Sequence, residues 1–144
     1  MKKTGFLMVI LLCVTTVVTA QNEDAVLGSW LNEEKDAKIE VYKMADKYFG
    51  KITWIKSAFE PDGKSPRKDN NNPDPALRSR TVKGLVILSN FKYDDGVWND
   101  GKIYDPKSGK TYSSKMTLDG STLKIRGFVG AALFGRTTVW SKSN

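Results

Sequence analysis

The sequence predicts an all-β fold: a single antiparallel up-and-down β-barrel of eight to nine strands with one long Pro/Asn-rich loop. Three observations carry this. Short runs with period-two apolar alternation recur along the chain, separated by turn signals such as Asp94-Asp95-Gly96 and Asp119-Gly120. No amphipathic helix of useful length interrupts them. The only cysteine, Cys13, falls in the N-terminal leader, so the folded chain has no disulfide. Closing the sheet into a barrel protects the edges of such a chain.

Residues 1–20 read as a secretory signal peptide. Lys2 and Lys3 form a basic start, Phe6–Val14 is apolar, and Val18-Thr19-Ala20 ends in small residues. A lipoprotein signal at Cys13 is the rival reading, disfavoured because lipidation normally needs a small residue before the cysteine and Leu12 is large. Cleavage after Ala20 implies a secreted or periplasmic protein with no transmembrane segment, and residues 21–144 then form one domain. Loss of Lys2 and Lys3 lowers the formal charge from +7 to +5. This mild excess suits anionic surfaces or ligands, and no dense basic run points to nucleic acid. The chain has no histidine. That excludes Ser-His-Asp and Cys-His machinery and histidine-ligated metal, so an enzyme ranks last among the function classes. No cofactor or metal is expected.

Leu27–Leu31 reads as the first strand. In Lys38–Lys43, Ile39 and Val41 share a face. In Lys47–Lys56, Tyr48, Gly50, Ile52 and Trp54 oppose Phe49, Lys51, Thr53 and Ile55. Ser57–Arg80 breaks the pattern with four of the five prolines and the run Asp69-Asn70-Asn71-Asn72. Its apolar anchors Phe59, Ala76 and Leu77 favour an ordered loop. Val82–Leu88 is the most apolar run and reads as a central strand eased by Gly84.

Gly101–Tyr112 is a hairpin turning at Asp105–Gly109, where Pro106 fixes φ and Gly109 permits positive φ. Pairing Asp105 with Lys110 places Ile103 opposite Tyr112 and Lys102 opposite Ser113. The next turn pairs Leu118 with Leu123, Met116 with Ile125 and Tyr112 with Val129. One face then carries Ile103, Tyr112, Met116, Leu118, Leu123, Ile125 and Val129. The other carries Lys102, Tyr104, Ser113, Lys115, Lys124, Arg126 and Phe128. A slip by one residue would mix the two sets, so the pattern supports the register. It also opposes Lys115 to Arg126, with Asp100 placed to relieve the repulsion. Gly130–Phe134 is a small apolar turn before a last strand in Gly135–Ser141.

Gly28-x-Trp30, Tyr48-x-Gly50-Lys51-Ile52, Asn72-Pro73-Asp74, Gly101-Lys102-Ile103-Tyr104-Asp105-Pro106, Ser108-Gly109-Lys110-x-Tyr112, Leu123-x-x-Arg126-Gly127 and Gly135-Arg136-Thr137 together resemble the DUF2147 family of small secreted bacterial proteins. The family brings no activity with it. More loosely, the chain is similar to the calycin, lipocalin-like barrels. That resemblance implies that Gly28 and Trp30 open the first strand and that a late arginine, Arg136 or alternatively Arg126, packs over the indole to close the barrel.

Arg78, Arg126 and Arg136 have the fork geometry for an anion, against the plainer reading of barrel closure and solvated charge. Trp54, Tyr104 and the other aromatics suit a lipid or sugar pocket, against a role in the core. Asp69, Asn71 and Asp74 look like an oxygen-rich calcium loop, but Asx capping of the Pro-rich segment explains them better. Asp105 with Lys110 has the residue types of a general acid/base pair, against the favoured reading of a hairpin salt bridge. The expected function is a binding protein for a small amphiphilic, lipid-like or anionic molecule held in the barrel mouth. Ser57–Arg80 would be its lid, with Arg78, Tyr104, Arg126, Trp54 and Lys102 as candidate ligand contacts. The alternative is a structural or envelope-interaction protein whose barrel is filled by its own side chains.

Overall fold

The computed structural model describes residues 22–144. The leader expected over residues 1–20 lies outside the described residues. Eight antiparallel strands follow one another around a closed barrel: β1 (Gly28–Leu31), β2 (Ala37–Met44), β3 (Lys47–Ile55), β4 (Val86–Asp94), β5 (Val97–Asp105), β6 (Lys110–Asp119), β7 (Thr122–Phe128) and β8 (Arg136–Lys142). β8 returns to β1 through the pairs Trp30–Lys142 and Leu31–Ser141, which closes the sheet. No described helix is long and apolar enough to cross a membrane.

The connections make the two ends of the barrel different. At one end, two-residue turns join β2 to β3 (Ala45-Asp46), β4 to β5 (Asp95-Gly96) and β6 to β7 (Gly120-Ser121). Ala45, Asp46, Asp95 and Gly96 all have positive φ, at 48°, 63°, 46° and 84°. This is the turn geometry that matches strand twist. The short helical turn Glu23–Val26 lies across the same end. Trp98 Nε1 donates to Glu23 O at 3.2 Å, Tyr48 Oη donates to Asp24 Oδ1 at 2.8 Å, and Trp30 Nε1 donates to Val26 O at 2.8 Å. Each buried ring thus has its polar atom satisfied. Around them Val26, Phe91, Met116 and Leu123 are fully buried, each such side chain contributing roughly 1.5–3 kcal/mol. At the other end lie the connections 32–36, 56–85, 106–109 and 129–135.

The hairpin register is the expected one. Asp105 pairs with Lys110, Ile103 with Tyr112, Met116 with Ile125 and Leu118 with Leu123. Four expectations need correction. β7 ends at Phe128, so Val129 does not pair with Tyr112 and stands 76% exposed. Two residues of β5, Asn99 and Asp100, bulge opposite Lys115, and Asp100 takes φ 58°. Val82–Leu85 is a turn rather than strand: Gly84 has φ 91°, Val82 and Leu85 are buried, and β4 begins at Val86. Ile52 still exchanges backbone bonds with this turn, donating to Leu85 O and accepting from Gly84 N. Finally, β3 bulges at Thr53, since Ile39 pairs with Ile52 while Lys38 pairs with Trp54. One extra residue reverses the alternation. Ile55 therefore turns inward, and Trp54 leaves the face of Tyr48 and is exposed.

The cation over Trp30 is also not the expected one. Lys142 Nζ lies 4.6 Å from the indole centroid and donates to Leu27 O at 2.7 Å, beside Gly28. The ladder explains this, because Trp30 pairs with Lys142 whereas Arg136 pairs with Gly127 at the opposite end of β8. The Arg136 side chain is 80% exposed and 3.7 Å from the Glu33 carboxylate.

Candidate ligand cavity at the open end

The barrel interior is not filled to its open end. A cavity of about 890 Å³ runs from the middle of the barrel to the mouth. Its apolar wall comes from inward positions of successive strands, among them Ile39, Ile52, Ile55, Ile87, Ile103, Tyr112, Ile125 and Trp140. Its rim comes from three of the connections and the start of β8 and is polar and mixed in charge, with Glu33, Glu34, Asp36, Arg67, Lys68, Asn71, Lys107 and Arg136. An apolar interior with a polar rim holds an apolar body and orients a polar head.

The long connection is ordered by a buried carboxylate. Asp69 is fully buried and accepts from Tyr104 Oη at 2.5 Å, Asn72 Nδ2 at 2.9 Å and Arg80 at 3.2 Å. Tyr104 is the hinge of this arrangement. Burial first, and then the hydrogen bond to Asp69, raise its phenol to about 12. Asn72 Oδ1 accepts from Asp74 N and Asp74 Oδ1 from Ala76 N, which caps the short turn Pro75–Leu77. Of the three oxygen-rich residues noted in the sequence, only Asp74 makes the expected Asx cap, while Asp69 binds the Tyr104, Asn72 and Arg80 side chains. Asn71 Nδ2 reaches across to Lys107 O at 2.9 Å, tying the loop to the β5–β6 hairpin. Gly109, with φ 73°, makes this approach possible, because a Cβ there would lie 1.9 Å from Asn71 O.

The hairpin is tied on its other side too. Lys107 Nζ contacts both Asp36 Oδ2, at 2.7 Å, and Glu34. Burial works against the charge of each partner. The mutual hydrogen bonds outweigh it, so the Lys107 ammonium is pushed up and the Asp36 carboxyl down. Asp105 uses its oxygens within the turn, on Lys107 N and Ser108 Oγ, rather than on Lys110.

The structure distributes the expected ligand contacts unevenly. Tyr104 lines the cavity. Trp54, Arg78, Lys102 and Arg126 do not. Trp54 was carried outward by the β3 bulge. Arg78 donates from Nε to Asn72 O at 2.7 Å and braces the loop. Lys102 lies on the outer wall, with Nζ 3.1 Å from Ser113 Oγ. Arg126 donates to Ala132 O at 2.5 Å and Leu133 O at 3.1 Å, holding the β7–β8 connection. Arg136, expected to close the barrel, instead stands at the mouth. The sequence reading missed Asp69 as the anchor and Lys107 as the tie. It also missed Thr138, a cavity-wall residue whose Oγ1 is buried without a partner, as is Ser114 Oγ. The density of polar residues in Asp105–Lys110 was the available signal for Lys107. Among the described residues, no group of three or more histidines, cysteines or carboxylates is placed to hold a metal.

A family model matches residues 28–142. The chain belongs to the DUF2147 family. That family is described as an uncharacterized protein conserved in bacteria. No curated protein matches the chain. Among solved structures, it is similar to the protein HP1028 from the human pathogen Helicobacter pylori, described as belonging to the lipocalin family. The two share 25% identity over 82% of each chain, with a TM-score of 0.71. The closed eight-strand barrel expected from the strand pattern is thus lipocalin-like, as the resemblance implied.

Proposed function

We propose that the protein is a secreted or periplasmic carrier that binds a small amphiphilic molecule. The apolar part would lie in the barrel, and an anionic or polar head would sit at the rim near Arg136, Lys68 and Tyr104. The observation that supports this most is the apolar cavity of about 890 Å³ under an ordered loop, within the size range of small-molecule sites. The lipocalin-family description of the similar Helicobacter pylori barrel is consistent with it. The filled-barrel alternative describes only the closed half, where Trp98, Met116 and Leu123 leave no comparable space.

Native mass spectrometry of protein from its own source, with thermal-shift titration of fatty acids, phospholipids and sugars, tests the reading. The expected result is a co-purifying small molecule or a saturable rise in Tm with one lipid class. An empty barrel and a flat panel would refute it. In the same assay Gly109→Ala is expected to weaken ligand retention by about tenfold or more. The new methyl collides with the Asn71 carbonyl in a positive-φ position and would lift the loop from the hairpin.

A further inference from the structure

The β7–β8 connection projects large apolar side chains where a soluble loop has no use for them. Val129, Leu133 and Phe134 are 76%, 79% and 81% exposed. Val129 and Phe134 also line the cavity, so the apolar surface of this tip is continuous with the interior. Part of the tip's backbone is satisfied from within. Phe134 N donates to Ala131 O, Gly135 N to Ala132 O, and Arg126 supplies further donors to Ala132 O and Leu133 O. Pairing the carbonyls of Ala131, Ala132 and Leu133 lowers the cost of taking this part of the loop out of water. The outer wall beneath it is cationic. Its cross-strand rows on β7 nearest the tip are Lys102–Ser113–Phe128 and Lys115–Arg126; Asp100, in the bulge opposite Lys115, offsets one of these three cations, and the carboxylate of Asp119 lies at the far end. At the rim, the carboxylates of Glu34 and Asp36 are engaged by Lys107, and Glu33 lies near Arg136.

We propose that Val129, Leu133 and Phe134, with the cationic outer wall of β5–β7, dock the barrel mouth-first on an anionic lipid bilayer. The charge of that wall selects the partner, because a tip flanked by Lys102, Lys115 and Arg126 is attracted to acidic headgroups and not to a second copy of itself. Docking needs no molecule in the cavity, so it stands apart from the carrier reading.

Vesicle flotation tests it with ligand-free protein. Binding is expected to vesicles containing phosphatidylglycerol, to be weak on phosphatidylcholine alone, and to fall with added salt. Leu133→Ser with Phe134→Ser should lose on the order of a hundredfold in affinity. Lys102→Glu with Lys115→Glu should lose about tenfold or more on the acidic vesicles alone. All four side chains lie on the surface, and unchanged melting curves would confirm that the variants fold. Equal binding of the wild type to both vesicle types, or undiminished binding of the serine variant, would overturn the proposal. So would a tip-dependent dimer in sedimentation velocity without vesicle binding.

Discussion

The two ends of this barrel solve the same problem with opposite means. Each is tied by a tyrosine that donates to an aspartate: Tyr48 to Asp24 at the closed end and Tyr104 to Asp69 at the open end. At the closed end that bond sits over Trp98, Phe91 and Met116, packed to exclusion of solvent, and the connecting turns are two residues long. At the open end it sits beside a cavity, and the loop it anchors runs from residue 56 to 85. Stability is therefore concentrated where the sheet is stitched by tight turns, and room for a ligand is left where the connections are long. The hydrogen bond is common to both ends, so packing makes the difference.

Truncating one large side chain at each end measures that difference. Trp98→Ala removes a ring that is 0% exposed and leaves Glu23 O without its donor. The expected loss is about 3–5 kcal/mol in urea unfolding. Ile103→Ala, on the wall of the existing cavity, should cost only about 1–2 kcal/mol, because its side chain already lacks neighbours on one side. Equal losses would mean that the cavity collapses in solution.

The same contrast explains what could be read from the sequence. The hairpin from Lys102 to Phe128 was legible residue by residue, because its turns are short and a slip would have mixed two distinct faces. The bulge at Thr53 was not legible, since both faces of β3 carry apolar residues and alternation alone gives no mark of an inserted residue. Val82–Leu85 misled for a related reason: a short apolar run reads alike as a strand and as a turn pressed into the core. At the open end the decisive bonds join residues far apart in sequence. Asp69 to Tyr104 and Lys107 to Asp36 leave no local pattern. Conversely Arg136 was chosen for its charge, while strand register gave the position over Trp30 to Lys142.

Alkaline pH compares the two tyrosine ties directly. In the fold, burial and then the aspartate hydrogen bond raise both phenols from 10.0 to about 12. An unfolded chain loses these protons near pH 10, whereas the folded protein keeps them to about 12. Between those values the folded state binds more protons, so stability falls as pH rises, and below pH 10 these groups add no slope. Urea midpoints measured from pH 8 to 12 should show that decline, with Tyr48→Phe and Tyr104→Phe each flattening it. If only Tyr48→Phe does so, the open-end loop has already loosened before the barrel unfolds.

The smallest effect has the sharpest sign. Thr138 Oγ1 and Ser114 Oγ are both buried without a hydrogen-bond partner, a state that is destabilising for any hydroxyl. Thr138→Val and Ser114→Ala should therefore each stabilise the ligand-free protein, by about 1 kcal/mol. They differ in their surroundings. Thr138 belongs to the cavity wall, while Ser114 lies between β5 and β7 opposite Gly101 and Gly127. A rotation of the Thr138 side chain would bring its hydroxyl to a ligand, whereas Ser114 does not line the cavity. On ligand addition, the gain from Ser114→Ala should persist unchanged. The gain from Thr138→Val should shrink or reverse if the bound molecule carries a polar group deep in the barrel, and persist if only an apolar tail reaches that depth.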